Sequence, residues 1–147
     1  MELHIRFRKL TENAIVPVYA TPDAAGADLY ALPTEQTLIP KGETRLIHTG
    51  IALEIPKGYG GFIYARSGLA TKKGLAPANK VGVIDADYRG EIMVALHNHS
   101  EEDVLLAGGE RVAQIVFAPV LSAIFTETDN LSETERAEGG FGSTGTR

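Results

Sequence analysis

Apolar and polar positions along the chain alternate in short runs, at strand rather than helical spacing. Leu3, Ile5 and Phe7 fall on one face of an extended segment, with His4, Arg6 and Arg8 on the other. Ile47, Thr49, Ile51, Leu53 and Ile55 repeat the pattern and stop at Pro56-Lys57-Gly58, a turn signal. Ile92, Val94 and Leu96 repeat it again and run out into the polar stretch 97–103. Residues 111–120 are apolar on both faces and predict a strand covered on both sides. Between these segments, 16 glycines and 7 prolines interrupt anything that could become a long helix. Many short strands punctuated by turns predict an all-β fold, whether sandwich, jelly roll or barrel. One short helix stands out. Ser67 is placed to cap Gly68-Leu69-Ala70-Thr71-Lys72-Lys73, the two lysines sit in its last turn, and Gly74 ends it.

From Thr126 the pattern stops. Residues 126–147 hold only Leu131, Ala137 and Phe141 as apolar side chains, too little to offset their own ordering entropy. The chain therefore divides into a β-rich core, 1–125, and a mobile C-terminal tail, 126–147. That tail carries Gly139-Gly140-Phe141-Gly142-Ser143-Thr144-Gly145, a composition suited to ordering over a ligand. With 147 residues the chain is one domain, able to bury a core without cross-links. It has no cysteine, which removes thiol catalysis and thiolate metal sites. No apolar run approaches the ~18 residues of a membrane span, and the N-terminus lacks a signal-peptide core, so a cytoplasmic protein is expected. The formal net charge of −5 argues against a nucleic-acid partner. A small phosphate ligand is still allowed, held by a few arginines and backbone N–H groups.

Four clusters permit chemistry, and each has a plain structural reading beside it. Arg66-Ser67-Gly68, at a strand-to-helix junction, suits an anionic phosphate or an ordinary helix cap. In Gly82-Val83-Ile84-Asp85-Ala86-Asp87-Tyr88-Arg89-Gly90, Asp85 could activate a water and Tyr88 could pack on a sugar. The same residues would make a hairpin whose aspartates satisfy turn N–H groups. Gln114, in an apolar strand, needs partners that are either backbone groups or ligand oxygens. The glycine-rich tail could wrap phosphate, but it is no Walker A loop and could equally be a loose end. His97 and His99 read as a solvated pair without a third metal ligand, and Glu101, Glu102 and Asp103 as a solvated turn.

Taken in order, these clusters resemble the five motifs of the trimeric dUTPases. The first is Ala25-Gly26-Ala27-Asp28-Leu29-Tyr30-Ala31, and the second runs from Pro56-Lys57-Gly58 to Arg66-Ser67-Gly68-Leu69-Ala70. Gly82 through Glu91 form the third, Gly109-Glu110-Arg111-Val112-Ala113-Gln114 the fourth, and 136–145 the fifth. The resemblance implies a jelly-roll-like subunit, a homotrimer with shared sites, a magnesium ion, and hydrolysis of dUTP to dUMP and pyrophosphate. Such an activity limits uracil in DNA and supplies dUMP for dTMP synthesis. It further implies that Asp85 activates the water and that Tyr88 lies under the deoxyribose. Backbone from Asn79 through Gly82, Val83 and Ile84, and on to Met93, would read uracil. Arg66, Ser67, Gly68 and Gln114 would hold the phosphate chain, and Asp28 would act near magnesium through water. Arg136, Gly142, Ser143 and Thr144 would clamp the γ-phosphate while Phe141 closes over uracil. A dCTP deaminase shares the implied fold but needs a catalytic glutamate and a cytosine pocket, and residues 82–91 match the dUTPase form. The family usually places glycine after Arg136. Ala137 stands there instead, unstrained only at negative φ.

Overall fold

The structure, a computed structural model, describes residues 2–143 and residue 145. In chain order the elements are β1 (Arg6–Lys9), β2 (Val18–Tyr19), β3 (Ala27–Tyr30), β4 (Thr37–Ile39), β5 (Thr44–Glu54) and β6 (Tyr59–Tyr64). There follow α1 (Ser67–Lys73), β7 (Leu75–Pro77), β8 (Gly82–Ile84), β9 (Glu91–Asn98), β10 (Val104–Leu106) and β11 (Arg111–Pro119). They form a four-stranded sheet ordered β1-β5-β9-β7, a five-stranded sheet ordered β2-β3-β11-β6-β8, and a two-stranded β10-β4 pair. Every pairing is antiparallel. This is the expected all-β, jelly-roll-like architecture with one short helix.

The alternation in β9 is complete: Ile92, Val94, Leu96 and Asn98 are buried while Glu91, Met93, Ala95 and His97 face outward, half-buried. Its inward residues join Ile47, Ile51 and Leu53 of β5, Leu29 of β3, Ile63 of β6 and Val112 and Ile115 of β11 in a single apolar core. Asn98 is the polar member of that interior. It donates to the carbonyls of Ile39 (2.9 Å) and Glu102 (2.7 Å) and accepts from Ser100, which fastens the β10-β4 pair to the larger sheet. An unpaired amide there would cost about 1–3 kcal/mol.

Three local expectations are corrected. The N-terminal strand begins at Arg6 rather than Leu3, and Phe7 is half-exposed, because only residues 6–9 find a partner in β5. Ser67 is the first residue of α1 and makes no capping bond. Arg66 occupies the cap position in extended conformation, φ −92° and ψ 130°. Coverage of β11 on both faces ends near Ile115: Val116, Phe117 and Ala118 are half-buried and Pro119 is exposed. Gly74 does end the helix, left-handed at φ 67°, with its N–H donating to the Leu69 carbonyl. Among the described residues no helix is long and apolar enough to cross a membrane.

Candidate active site

The middle of the five-stranded sheet brings the first, second and fourth motifs together. Register places Gln114 of β11 opposite Asp28 of β3 on one side and opposite Tyr64 of β6 on the other. Asp28 is buried, and its carboxylate is held by two arginines. Arg66 Nε donates to Oδ1 at 2.8 Å, and Arg111 lies 3.4 Å from Oδ2. A charge-assisted bond of this kind holds the Arg66 side chain in place, with the rest of its fork left to bind an anion. The Gln114 side-chain amide donates to the Ala65 carbonyl at 2.9 Å, which answers how a strand-interior amide is satisfied. A Cβ on Gly26 would come within 2.8 Å of Gln114 Oε1, so the glycine of the first motif makes room for the glutamine of the fourth. Ser67 and Gly68 are exposed beside this group, and a Cβ on Gly68 would meet nothing within 4 Å.

The far end of α1 is tied to the fourth motif. Lys73 Nζ lies 2.9 Å from Glu110 Oε2, while Glu110 Oε1 accepts the Ala107 N–H at 3.2 Å. Burial pushes the Glu110 carboxyl up, but the lysine bond and the backbone N–H outweigh it, and the group titrates below its ordinary range. Glu110 and Arg111 of the fourth motif thus have structural roles that the resemblance does not assign. The signal available was their charge, two residues flanking an apolar run.

The third motif is not a hairpin: it leaves the five-stranded sheet at the end of β8, turns, and enters β9 of the four-stranded sheet. Its turn is held by the Tyr88 N–H on the Asp85 carbonyl (3.1 Å) and by the Arg89 guanidinium on the Ala86 carbonyl (2.6 Å). Asp85 is exposed on that turn, and the Asn79 side chain folds back over Gly82, 3.1 Å from where a Cβ would stand. Met93 pairs with His48 in the other sheet, its side chain on the outward face.

Register also separates two predicted partners. Ile84 pairs with Gly61, and positions 61 to 66 along the extended chain measure roughly 16 Å at ~3.3 Å per residue. Asp85 lies a step farther. Within one chain, therefore, the aspartate of the third motif and the arginine of the second start from opposite ends of β6.

The described part of the tail is exposed except at half-buried Gly139 and Gly140, and holds no helix or strand. Arg136 Nε donates to the Gly139 carbonyl (2.9 Å) and the Ser143 N–H to the Gly140 carbonyl (3.0 Å), so these residues bond within their own turns. Ala137 has φ +43°, not the negative value that would leave it unstrained, and its N–H is shared between the carbonyl and hydroxyl of Thr134. Phe141 and Gly142 are also left-handed, at φ 51° and 87°. Thr144 lies outside the described residues. Among the described residues no group of three or more His, Asp or Glu side chains could cage a cation. Asp28, with lone pairs left after its two arginines, can still accept a water from the shell of an ion carried by phosphate oxygens.

A family profile for dUTPase matches residues 12–145, which takes in every element from β2 onward. The chain belongs to the dUTPase family. It is 46% identical over 141 residues to the deoxyuridine 5'-triphosphate nucleotidohydrolase of Syntrophotalea carbinolica, covering 96% of each chain. To the protein of the same name from Desulfitobacterium hafniense it is 53% identical over 131 residues, covering 88% of this chain and 87% of that one. Among solved structures it is similar to a mutant dUTPase of Staphylococcus bacteriophage 80alpha with dUpNHpp, with a TM-score of 0.87 and 27% identity. That match covers 97% of this chain and 98% of the phage chain. A cleft of about 820 Å³ among the described residues contains none of the predicted site residues. It is an open apolar groove lined by Leu3, Ile5, Tyr19, Tyr59, Phe117 and Pro119, with no lysine or arginine for a triphosphate.

Proposed function

We propose that the chain is a dUTP diphosphatase that hydrolyses dUTP to dUMP and pyrophosphate by in-line attack of water on the α-phosphorus. The carrying observation is that the family match runs unbroken from the Asp28 strand to the glycine-rich tail. Asp85, exposed at the turn after β8, takes the proton of the attacking water. Tyr88 lies under the deoxyribose and leaves no room for a 2′-hydroxyl. Backbone groups of 79–84 and Met93 read the uracil edge, where the wrong base would leave buried groups unpaired. Arg66, oriented by Asp28, holds the phosphate chain with Ser67, Gly68 and Gln114. Magnesium, when bound, would neutralise phosphate charge, and Asp28 is the residue that would hold it, through water. The tail, 126–147, closes over the core, 1–125: Arg136, Ser143 and Thr144 meet the γ-phosphate, and Phe141 covers the base. Closure excludes water and strengthens each electrostatic contact inside.

The working form is a homotrimer in which Asp85 of one subunit serves the Arg66 cluster of another. Two features support this. The first is the roughly 16 Å from Gly61, the partner of Ile84, to Arg66 along one chain. The second is the apolar segment after β11, where Leu121, Ile124 and Phe125 are 99%, 93% and 96% exposed. Covering such side chains is worth about 2 kcal/mol each, and the chain offers an apolar cleft of its own for a neighbour to fill. The test is product analysis with magnesium and, separately, dUTP, dCTP, UTP and dTTP. Conversion of dUTP alone to dUMP and pyrophosphate is expected. Ammonia from dCTP would make the protein a deaminase, and no turnover of any nucleotide would make it a nucleotide-binding sensor.

A further inference from the structure

Tyr88 owes its placement to neighbours that touch no part of a substrate. The residue is 40% exposed, so packing alone does not hold its ring. Its hydroxyl donates to the Glu91 carbonyl at 2.9 Å, which folds the ring back across Gly90. A Cβ added at Gly90 would stand 2.6 Å from Tyr88 Cζ and 2.9 Å from Cε2, and in collision with the phenolic oxygen. Gly90 is not among the glycines with positive φ, and the three atoms nearest an added Cβ all belong to Tyr88.

The carbonyl under the hydroxyl is itself fixed. The Glu91 carboxylate accepts the Gly50 N–H at 2.8 Å and meets His48 Nδ1 at 2.9 Å. The next carbonyl, Ile92, accepts the Thr49 hydroxyl at 2.6 Å. These bonds gather where β5 departs from regular register, between His48 and Ala52. The bulge exposes a backbone N–H that a flat strand would have used in the ladder, and Glu91 takes it. The ring thus rests on a stationary acceptor, over a position where no side chain exists.

We infer that Gly90 is a specificity-determining residue: its missing side chain sets the depth at which the Tyr88 ring lies, and so the room left at the sugar 2′ position. The inference rests on the sugar-facing role of Tyr88 proposed above. An alanine at Gly90 pushes the ring off its acceptor toward solvent, which costs little stability because the ring is at the surface. It opens space for a ribose hydroxyl and weakens the contact with deoxyribose. The fold and the catalytic aspartate are left in place.

The experiment compares kcat/KM for dUTP and for UTP, with magnesium, in the full chain, in Gly90→Ala, in Tyr88→Ala and in the double variant. Gly90→Ala is expected to lower the dUTP-to-UTP ratio by at least about tenfold, with an unfolding midpoint within about 2 °C of the parent. In the Tyr88→Ala background the same change is expected to be silent, because no ring remains to displace. A ratio lowered by Tyr88→Ala but untouched by Gly90→Ala overturns the inference and leaves the role of Tyr88 standing. Additive effects in the double variant overturn it too, since Gly90 would then act by another route. A ratio that Tyr88→Ala itself leaves unchanged refutes the role of Tyr88, and the inference with it.

Discussion

Replacing Asp28 with asparagine removes a charge but almost no volume, and so isolates what the carboxylate does for Arg66. The Arg66–Asp28 contact is 2.8 Å long, between side chains that are 26% and 11% exposed. Charge-assisted bonds contribute about 1.5–3 kcal/mol, and asparagine retains an acceptor oxygen, so about 1–2 kcal/mol of the hold on Arg66 is lost. The second contact, to Arg111, is longer and its arginine is 48% exposed, so solvent screening leaves it a small share. If the guanidinium must be in place to hold the phosphate chain, that loss appears as a fall in kcat/KM for dUTP of about 5- to 30-fold. The assay is steady-state dUTP hydrolysis across a magnesium titration. Because the effect runs through the arginine, half-saturation by magnesium should move less than about twofold, and excess magnesium should not restore the rate. A fall below twofold refutes the anchoring role. So does full recovery at high magnesium, which would place the carboxylate's work on the ion.

Deleting residues 134–147 should leave the β-core folded, with an unfolding midpoint within a few degrees of the parent and kcat/KM at least about 100-fold lower. Loss of the unfolding transition itself would show that the tail is structural. His48 titrates above its ordinary 6.5, chiefly through its bond to Glu91, with burial opposing and the Glu91 and Glu35 charges adding. A raised histidine stabilises fully below the unfolded value and loses that contribution as pH climbs through the folded one. The parent should therefore lose more of its unfolding midpoint than His48→Gln between pH 6 and pH 8, and parallel curves would refute the coupling. Ala137→Gly removes about 1 kcal/mol of left-handed strain but loosens the open tail by about 0.5–1 kcal/mol. KM for dUTP should accordingly change less than about threefold; a tenfold change in either direction would show that closure uses a different φ at this position.

The strands were legible where one face is wet and the other dry. Ile92, Val94 and Leu96 announce β9 because a half-buried antiparallel strand must alternate. Gly74 announces a helix end because few other residues sit at φ 67° without strain. The partnership of Asp28 with Arg66 was not legible, since it depends on β3 and β11 pairing across 86 positions, 28 to 114. The bulge between His48 and Ala52 leaves only Gly50 as a trace in the sequence, and Glu91 appears there only as the end of the third motif. Ser67 was read as a cap from composition alone. The chain enters α1 extended at Arg66, so the serine falls one position inside the helix. The five motifs located the residues; which of them meet within one chain was decided by strand register.

If the site is split between subunits as proposed, the distance between the two ends of β6 makes catalysis a collective property. In a site split between subunits, an Asp85→Asn protein and an Arg66→Ala protein would each be dead alone, yet a mixed assembly would contain intact pairings. By the same logic, activity would carry a concentration threshold that the fold need not share. On dilution, turnover would fade while every strand stayed in place, because a solitary subunit would hold both halves of the machinery and keep them at opposite ends of one strand.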